Sequence, residues 1–433
     1  MKNIILLSLI LLLLISASCN TTEPPSNTTL TLKLEDVSCI EAWIKLKTTN
    51  LQLPTTLTLI QFNPTGDTVT QNIILSNADS LLYIDSLLPN QTYKFIATIE
   101  QSNNKSNELS VTTLDTTSHN FTFQSWTFGT IGSSTLYDVA IINENNIWAV
   151  GEIYVADTSI NGYTKYNAVH WDGNNWGLKK IGGYGYWPCR TVFAFSATDI
   201  WFEGTIHWDG SNYTVHMNGW PLMPNGDNWQ VNKMWGSSPN DLYAVGNNGN
   251  IAHYNGQSWT KIESGTDLPI RDIWGDFNIK TNKYEILAVA AEIAIDKGSK
   301  VLRIDGSSVT EESNKGLSWD VGGIWFKSGS KYYIAGAGIH YKHFLSDSIW
   351  NRYLPGVVTN YVGYGIRGSD INDVFAAGSF FEIAHFNGLS WHNYLDEISS
   401  TSGAFGIIVV KGNMMVALGS ESGRALIVIG KRN

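Results

Sequence analysis

The feature that most constrains this chain is an internal repeat. Trp235-Gly-Ser-Ser-Pro-Asn-Asp241-Leu-Tyr-Ala-Val-Gly246 is followed by Ile251-Ala-His253-Tyr-Asn-Gly256 and then by Gln257-Ser-Trp259-Thr-Lys-Ile262. The same order of motifs returns at Asp373 to Gly378, Ile383 to Gly388 and Trp391. It returns at Asn146 to Gly151, Ala168 to Gly173 and Trp176, and at Asp199 to Gly204 and Thr205 to Gly210. Weaker copies run Glu285 to Ala290 with Val301 to Gly306, Lys331 to Gly336 with Gly338 to Tyr341 and Trp350, and Asn413 to Gly419 with Ala425 to Ile429. Successive copies begin about 40 to 53 residues apart, and each holds four short extended runs separated by turn residues.

A unit of that length with four strands cannot bury both faces alone, so copies must stack on one another. The expectation is an all-β chain whose region 120–433 is a β-propeller, counted as seven-bladed, with six or eight blades left open because the weak copies around 280–350 can be divided differently. In each unit the run before the aspartate is the inner strand, followed by the DLYAVG-like, the IAHYNG-like and the SWTKI-like strands. Gly246 and Gly256 fall at tight turns, where a positive φ is expected. The seventh copy lacks a fourth strand, and Phe123-Gln-Ser-Trp126-Thr-Phe128 resembles Gln257-Ser-Trp259-Thr-Lys-Ile262. Residues 121–128 are therefore expected to complete the last unit and close the ring, which removes exposed sheet edges. The pattern resembles the WGS-x-x-x-DVWAVG repeats of extracellular bacterial propellers, similar in architecture to sialidase-like and photosystem-assembly-factor-like propellers. That resemblance speaks to fold and little to activity, since propellers host many chemistries.

The N-terminus adds a second signal. Met1-Lys2-Asn3 precedes the apolar run Ile4 to Ile15, then Ser16-Ala17-Ser18 and Cys19. The run is short for a membrane span and reads as a signal peptide over 1–18. The site resembles a bacterial lipoprotein cleavage site, with Ser16 where such sites usually carry leucine. The resemblance implies lipidation of Cys19, a membrane anchor and an outer-membrane location. Asn20 to Thr28 is polar, carries two adjacent prolines and reads as a tether over 19–28. Cys39 and Cys189 remain as buried thiols in separate domains.

Residues 29–116 alternate apolar and polar positions in about seven short runs, as in Thr29-Leu-Thr-Leu32 and Thr56-Leu-Thr-Leu-Ile60. Period two with turns between them implies a β-sandwich. Leu88-Pro-Asn-Gln-Thr-Tyr93-Lys-Phe95 resembles the tyrosine corner of a fibronectin type III domain, with Trp43 at that family's core tryptophan. The resemblance implies a spacer without catalytic residues.

Several classes of chemistry are disfavoured. The net charge is −10, from 28 basic and 38 acidic residues, and no basic run appears, so nucleic acid is not expected as a partner. The chain has no G-x-S-x-G elbow, HExxH, phosphate loop or dinucleotide fingerprint, so no cofactor or metal is expected. His170, His207, His253, His340 and His385 share one place in their repeats and read as framework. Asp138, Asp199, Asp241 and Asp373 recur before second strands, and Asp172, Asp209 and Asp305 alternate with Asn255 and Asn387 in the following turn. Residues that return in every unit build the unit.

What departs from the register carries the functional expectation. Tyr184, Tyr186, Trp187, Trp220, Tyr361 and Tyr364 are aromatics outside framework positions, suited to stacking on a sugar ring or clamping a partner's loop. Arg190, Arg271 and Arg367 precede inner strands; they either point into one funnel suited to an anionic ligand or bond turn carbonyls between blades. The chain is thus expected to be a non-catalytic envelope protein binding glycan or protein. A propeller glycosidase or polysaccharide lyase, with Glu203, Glu285 and Asp276 as its stray carboxylates, and an outer-membrane assembly factor are the competing readings. Asp79-Ser80-Leu81 and Asp347-Ser348-Ile349 resemble O-glycosylation sites of Bacteroidetes-type bacteria.

Overall fold

The computed structural model describes residues 28–99, 104–183, 187–223, 228–293, 295–398 and 403–433. The expected signal peptide over 1–18, Cys19, Tyr184 and Tyr186 lie outside them. The chain is all-β with short 3-10 turns and divides into two compact units. The first comprises the described part of 1–35 with 42–84 and 92–112, and the second comprises 36–41, 85–91 and 113–433.

The first unit holds two antiparallel sheets. One orders its strands Thr29–Val37, Ala42–Thr49, Asp79–Ile84, and the other Thr68–Leu75, Thr55–Phe62, Thr92–Ile99, Leu109–Thr112. Burial alternates along Thr92–Ile99, where Tyr93, Phe95, Ala97 and Ile99 are buried and Thr92 and Lys94 exposed. That is the period-two signature of a strand with one face on a core. Trp43 is fully buried, its ring 5.6 Å from that of Tyr83.

The described residues of the second unit form seven four-stranded antiparallel sheets. We number them sheets 1 to 7 in chain order. Their first strands are Thr135–Asn143, Val192–Ser196, Val231–Ser238, Ile270–Asn278, Gly323–Lys327, Gly363–Asp370 and Gly403–Lys411. Each first strand lies against the first strand of the next sheet, and that of sheet 7 lies against that of sheet 1. The order of the seven is therefore cyclic. Residues 121–128 complete sheet 7 as expected: Phe121–Phe128 pairs with Arg424–Arg432, Phe128 opposite Ala425 and Phe121 opposite Arg432. The seventh sheet thus joins the two ends of the repeat region.

Stacking explains why the second strands read as apolar runs rather than as alternations. In Asp241–Gly246, Leu242 and Ala244 pack with Trp201 of sheet 2, whereas Tyr243 and Val245 pack with Ile273 and Ala288 of sheet 4. Both faces meet a neighbouring sheet, so both must be apolar. Between sheets 7 and 1, Val416, Leu418 and Ile427 pack against Leu136, Ile147 and Ala149.

The repeat glycines serve two different ends. Gly256 has φ +91°, as expected of a turn. Gly246 does not; its backbone is extended, with φ −170°. A Cβ there would lie 2.0 Å from the carbonyl oxygen of Gln230, and at Gly151 and Gly378 it would lie 2.1 Å from those of Thr135 and Val362. This glycine is kept because the first strand approaches too closely for any side chain.

Candidate functional site

The recurring histidines are framework side chains. His170, His207, His253 and His385 sit opposite Trp148, Trp201, Tyr243 and Phe375 of the second strand and lie over their rings at 4.2–4.7 Å. Each Nε2 then meets the residue that opens that strand: Asn146 at 3.0 Å, Asp199 at 2.9 Å, Asp241 at 2.7 Å and Asp373 at 2.9 Å. Asparagine at the first of these shows that the pair does not require a carboxylate.

Three register assignments need correction. His340 is one residue out of step: Tyr341 sits opposite Tyr333, and His340 opposite Ile334. A one-residue slip turns a side chain to the other face of the sheet. His340 is consequently fully buried, and burial pushes it down to about 4. Asp138 lies inside the first strand of sheet 1, not before its second strand. Glu285 is no stray, because Leu287 pairs with Arg303 as Tyr243 pairs with His253, so Glu285 holds the place of Asp241. Its carboxylate accepts from Tyr332 Oη at 2.8 Å and Ser328 Oγ at 2.5 Å.

The turn residues behave as the sequence indicates. Asp172 accepts the N–H groups of Asn174 and Asn175, Asp209 those of Ser211 and Asn212, and Asn255 those of Gln257 and Ser258. These backbone donors hold Asp172 and Asp209 below the usual carboxylate range. Among the described residues, no group of three or more His, Cys, Asp or Glu is arranged to hold a metal ion.

At the centre of the ring, a cavity of about 370 Å³ gathers the opening residues of all seven first strands or of the segments leading into them. Thr135, Leu136 and Tyr137 come from sheet 1 and Arg190 from just before sheet 2. Sheet 3 gives Gln230, Val231 and Asn232, sheet 4 Arg271, and sheet 6 Tyr364. Gly322, Ala404 and Gly406 supply small walls, as do Gly419 and Ser420 from the second strand of sheet 7. Arg190 and Arg271 are its charged members; none of its described lining residues is a carboxylate.

Each arginine is held in place. The Arg190 guanidinium lies 4.7 Å from the centre of the Tyr137 ring, and Tyr137 donates its hydroxyl to Glu152 at 2.7 Å. Burial and Glu152 push Tyr137 up to about 12, so the phenol stays protonated. Arg271 donates Nε–H to the carbonyl of Ala291 at 2.9 Å and reaches Glu292 at 3.4 Å. On the opposite wall, Tyr364 Oη accepts from Ser379 Oγ at 3.1 Å.

Arg367 does not belong to this cavity, which corrects the expectation that three arginines converge. It sits opposite Phe375, as Trp235 sits opposite Tyr243, so Arg367-Gly368 fills the Trp235-Gly236 slot, deeper in its strand than Arg271. There it is 4% exposed and binds Asp272, itself 2% exposed, through Nη1 at 2.7 Å and Nη2 at 2.6 Å. A second buried pair joins Lys233 to Asp138 at 2.5 Å. Both pairs are 95 residues apart, and both bridge past one sheet. The intervening sheet also contributes: Val192 N–H donates to Asp138 and Ile324 N–H to Asp272. Beyond these pairs, a separate cavity of about 260 Å³ is lined by Trp235, Trp274, Val410 and Lys411.

The remaining candidates divide. Trp220 is a core residue, 7% exposed and stacked on Trp229 at 5.1 Å with the rings 5° from parallel, which corrects its assignment as a ligand contact. Trp187 is 81% exposed. Tyr361 is partly exposed and lies 4.4 Å from the ring of Phe380. Phe380 was not singled out from sequence. Glu203 accepts the N–H groups of Arg190 and Thr191, and burial raises it to about 7. Asp276 accepts Ser328 N–H at 2.8 Å and lines a different, smaller cavity with Trp274 and Trp325. None of the three supposed stray carboxylates lines the central cavity.

No protein-family model and no curated protein matches the chain. Among solved structures, the sensor domain of the anti-sigma factor RsgI4 from Pseudobacteroides cellulosolvens is 18% identical; the match covers 22% of this chain and 98% of that one, at a TM-score of 0.19. A two-domain fibronectin type III segment from chicken tenascin is 12% identical over 54% and 95%, at 0.19. A tetra-tandem repeat from the extending region of a large adhesion protein is 10% identical over 94% and 100%, at 0.17.

Proposed function

We propose that the seven-sheet ring is a β-propeller and that the chain is a non-catalytic envelope lipoprotein. Cys19 carries its lipid, the fibronectin type III-like unit acts as spacer, and the propeller binds a glycan or protein ligand. One observation carries the binding site: a central cavity to which each of the seven sheets contributes, whose charged members are Arg190 and the Glu292-paired Arg271, with no carboxylate among its described lining residues. Such a lining favours an acidic ligand group, which guanidinium recognises with two parallel hydrogen bonds. A glycosidase needs two carboxylates facing one substrate bond, and Glu203, Glu285 and Asp276 do not supply them to this cavity.

The test is a quantitative screen of the full chain against a glycan panel and purified envelope proteins, repeated with Arg190→Ala/Arg271→Ala. The reading expects a ligand whose affinity falls at least tenfold in the double variant. A ligand that binds both forms equally, or turnover of a polysaccharide, overturns it. The anchor is tested separately: Cys19→Ser is expected to move the protein from the membrane to the soluble fraction.

A further inference from the structure

Phe380 and Phe381 both have left-handed backbone, with φ +57° and +61°. Two consecutive bulky residues in that region are genuine outliers, which the surrounding structure must enforce. Phe381 supplies part of the enforcement: it is fully buried and lies 5.1 Å from the ring of Phe405. Phe380 N–H donates to the carbonyl of Gly403 at 2.8 Å, and Glu382 N–H to that of Ser379 at 3.2 Å.

Phe380 itself takes no part in the core. It is 47% exposed, and its partner Tyr361 is 39% exposed. Tyr361 is also fixed, because its N–H and that of Asn360 both donate to the Glu382 carboxylate, at 3.0 and 2.6 Å. The strained turn thus sets two half-exposed rings against each other, 4.4 Å apart, as one face on a hydrogen-bonded backbone.

That face adjoins the central cavity. Ser379, next to Phe380, donates to Tyr364 of the cavity wall and pairs with Ala404, another wall residue. An aromatic face beside a cationic hollow matches a ligand that is acidic at one point and presents flat C–H surface next to it. Acidic oligosaccharides have that pattern, and a sugar ring stacks on aromatics through its apolar face.

Resting on the central cavity as the binding site, we propose that it takes the carboxylate of a uronic-acid residue between Arg190 and Arg271, with the adjoining sugar on the Tyr361–Phe380 face. The backbone beneath both rings is already hydrogen-bonded, so little of its freedom is lost on binding.

Calorimetric titration of the full chain with tetrasaccharides of galacturonate, glucuronate and mannuronate, with their methyl esters and with tetraglutamate, tests this. At least one uronate is expected to bind, with its ester about tenfold or more weaker, as is Arg190→Ala or Arg271→Ala with the free acid. Phe380→Gly relieves the backbone strain. It is expected to leave thermal stability unchanged or raised, yet to weaken uronate binding about twofold to tenfold. An ester that binds as well as the acid, or an undiminished Phe380→Gly variant, overturns the inference while leaving glycan binding intact. Tetraglutamate bound through Arg190 with every uronate silent overturns the saccharide but keeps the cavity. Silence of all probes overturns the inference; the broader panel then decides whether the ring binds anything at this site.

Discussion

Replacing Arg367 by methionine is the sharpest test of how the ring is held. The guanidinium gives Asp272 two hydrogen bonds, at 2.7 and 2.6 Å, and donates to the carbonyls of Ile324 and Ile366 at 3.0 and 2.8 Å. Methionine keeps much of the volume and removes the charge. Asp272 is then left buried with only the N–H groups of Ile273 and Ile324, each at 2.9 Å. Losing one partner of a buried pair costs roughly 3–5 kcal/mol. The two backbone donors remain, so the expected loss lies near the lower end, about 3 kcal/mol, a large share of the roughly 5–15 kcal/mol that holds a domain. Urea unfolding measures it without the ionic screening of guanidinium. Arg367→Met/Asp272→Asn should recover more than half of the loss, because neutral Asn no longer needs a charge partner and keeps an acceptor. Lys300→Ala, which breaks an exposed pair with Glu311, should change stability by under about 1 kcal/mol. A loss below about 1 kcal/mol for Arg367→Met, or no recovery in the double variant, would refute the reasoning.

Other expectations follow from single sites. Gly246→Ala places a Cβ 2.0 Å from the carbonyl of Gln230 and should destabilise by roughly 1–3 kcal/mol in the same urea assay, more than Gly265→Ala would through φ alone, since nothing lies within 4 Å there. His340 is held near 4 in the fold against about 6.5 in an unfolded chain. The unfolded state therefore takes the proton first, and stability should fall as pH drops from about 6.5 toward 4, levelling below that; His340→Gln should flatten that part of a melting-temperature profile. Trp126→Ala removes a ring lying 5.7 Å from Trp171 and 6.1 Å from Trp176, which should loosen sheet 7 against sheet 1. Faster amide exchange in 121–128 and 424–432 is its readout, and unchanged exchange would count against ring closure as the support of that strand.

How much of this was legible beforehand depends on the range of each interaction. The unit, its four strands, the Asx turns and the return of 121–128 to sheet 7 were readable because a repeat states local geometry seven times over. The recurring histidines and aspartates were readable as framework for the same reason, but their bonding to one another was not. The misplacement of His340 came from aligning letters where one residue had shifted, and only the pairing of Tyr341 with Tyr333 decides the face. The slot of Arg367 was written in Arg367-Gly368 standing where Trp235-Gly236 stands, a signal that motif reading passed over. Trp220 lacked any such signal, since its burial depends on Trp229 arriving parallel to it.

By itself, the sequence determined the period, the strand content and the aromatic stacking surfaces, because backbone propensity and side-chain alternation act within a few residues of one another. The tertiary structure alone supplied Arg367 with its partner, an aspartate 95 residues away, and it alone brought the Tyr361–Phe380 face beside the wall of Tyr364 and Ala404. Those arrangements exist only once the sheets have taken their cyclic order, since a charge pair that bridges past a sheet has no local encoding until the ring places its two strands on either side of that sheet.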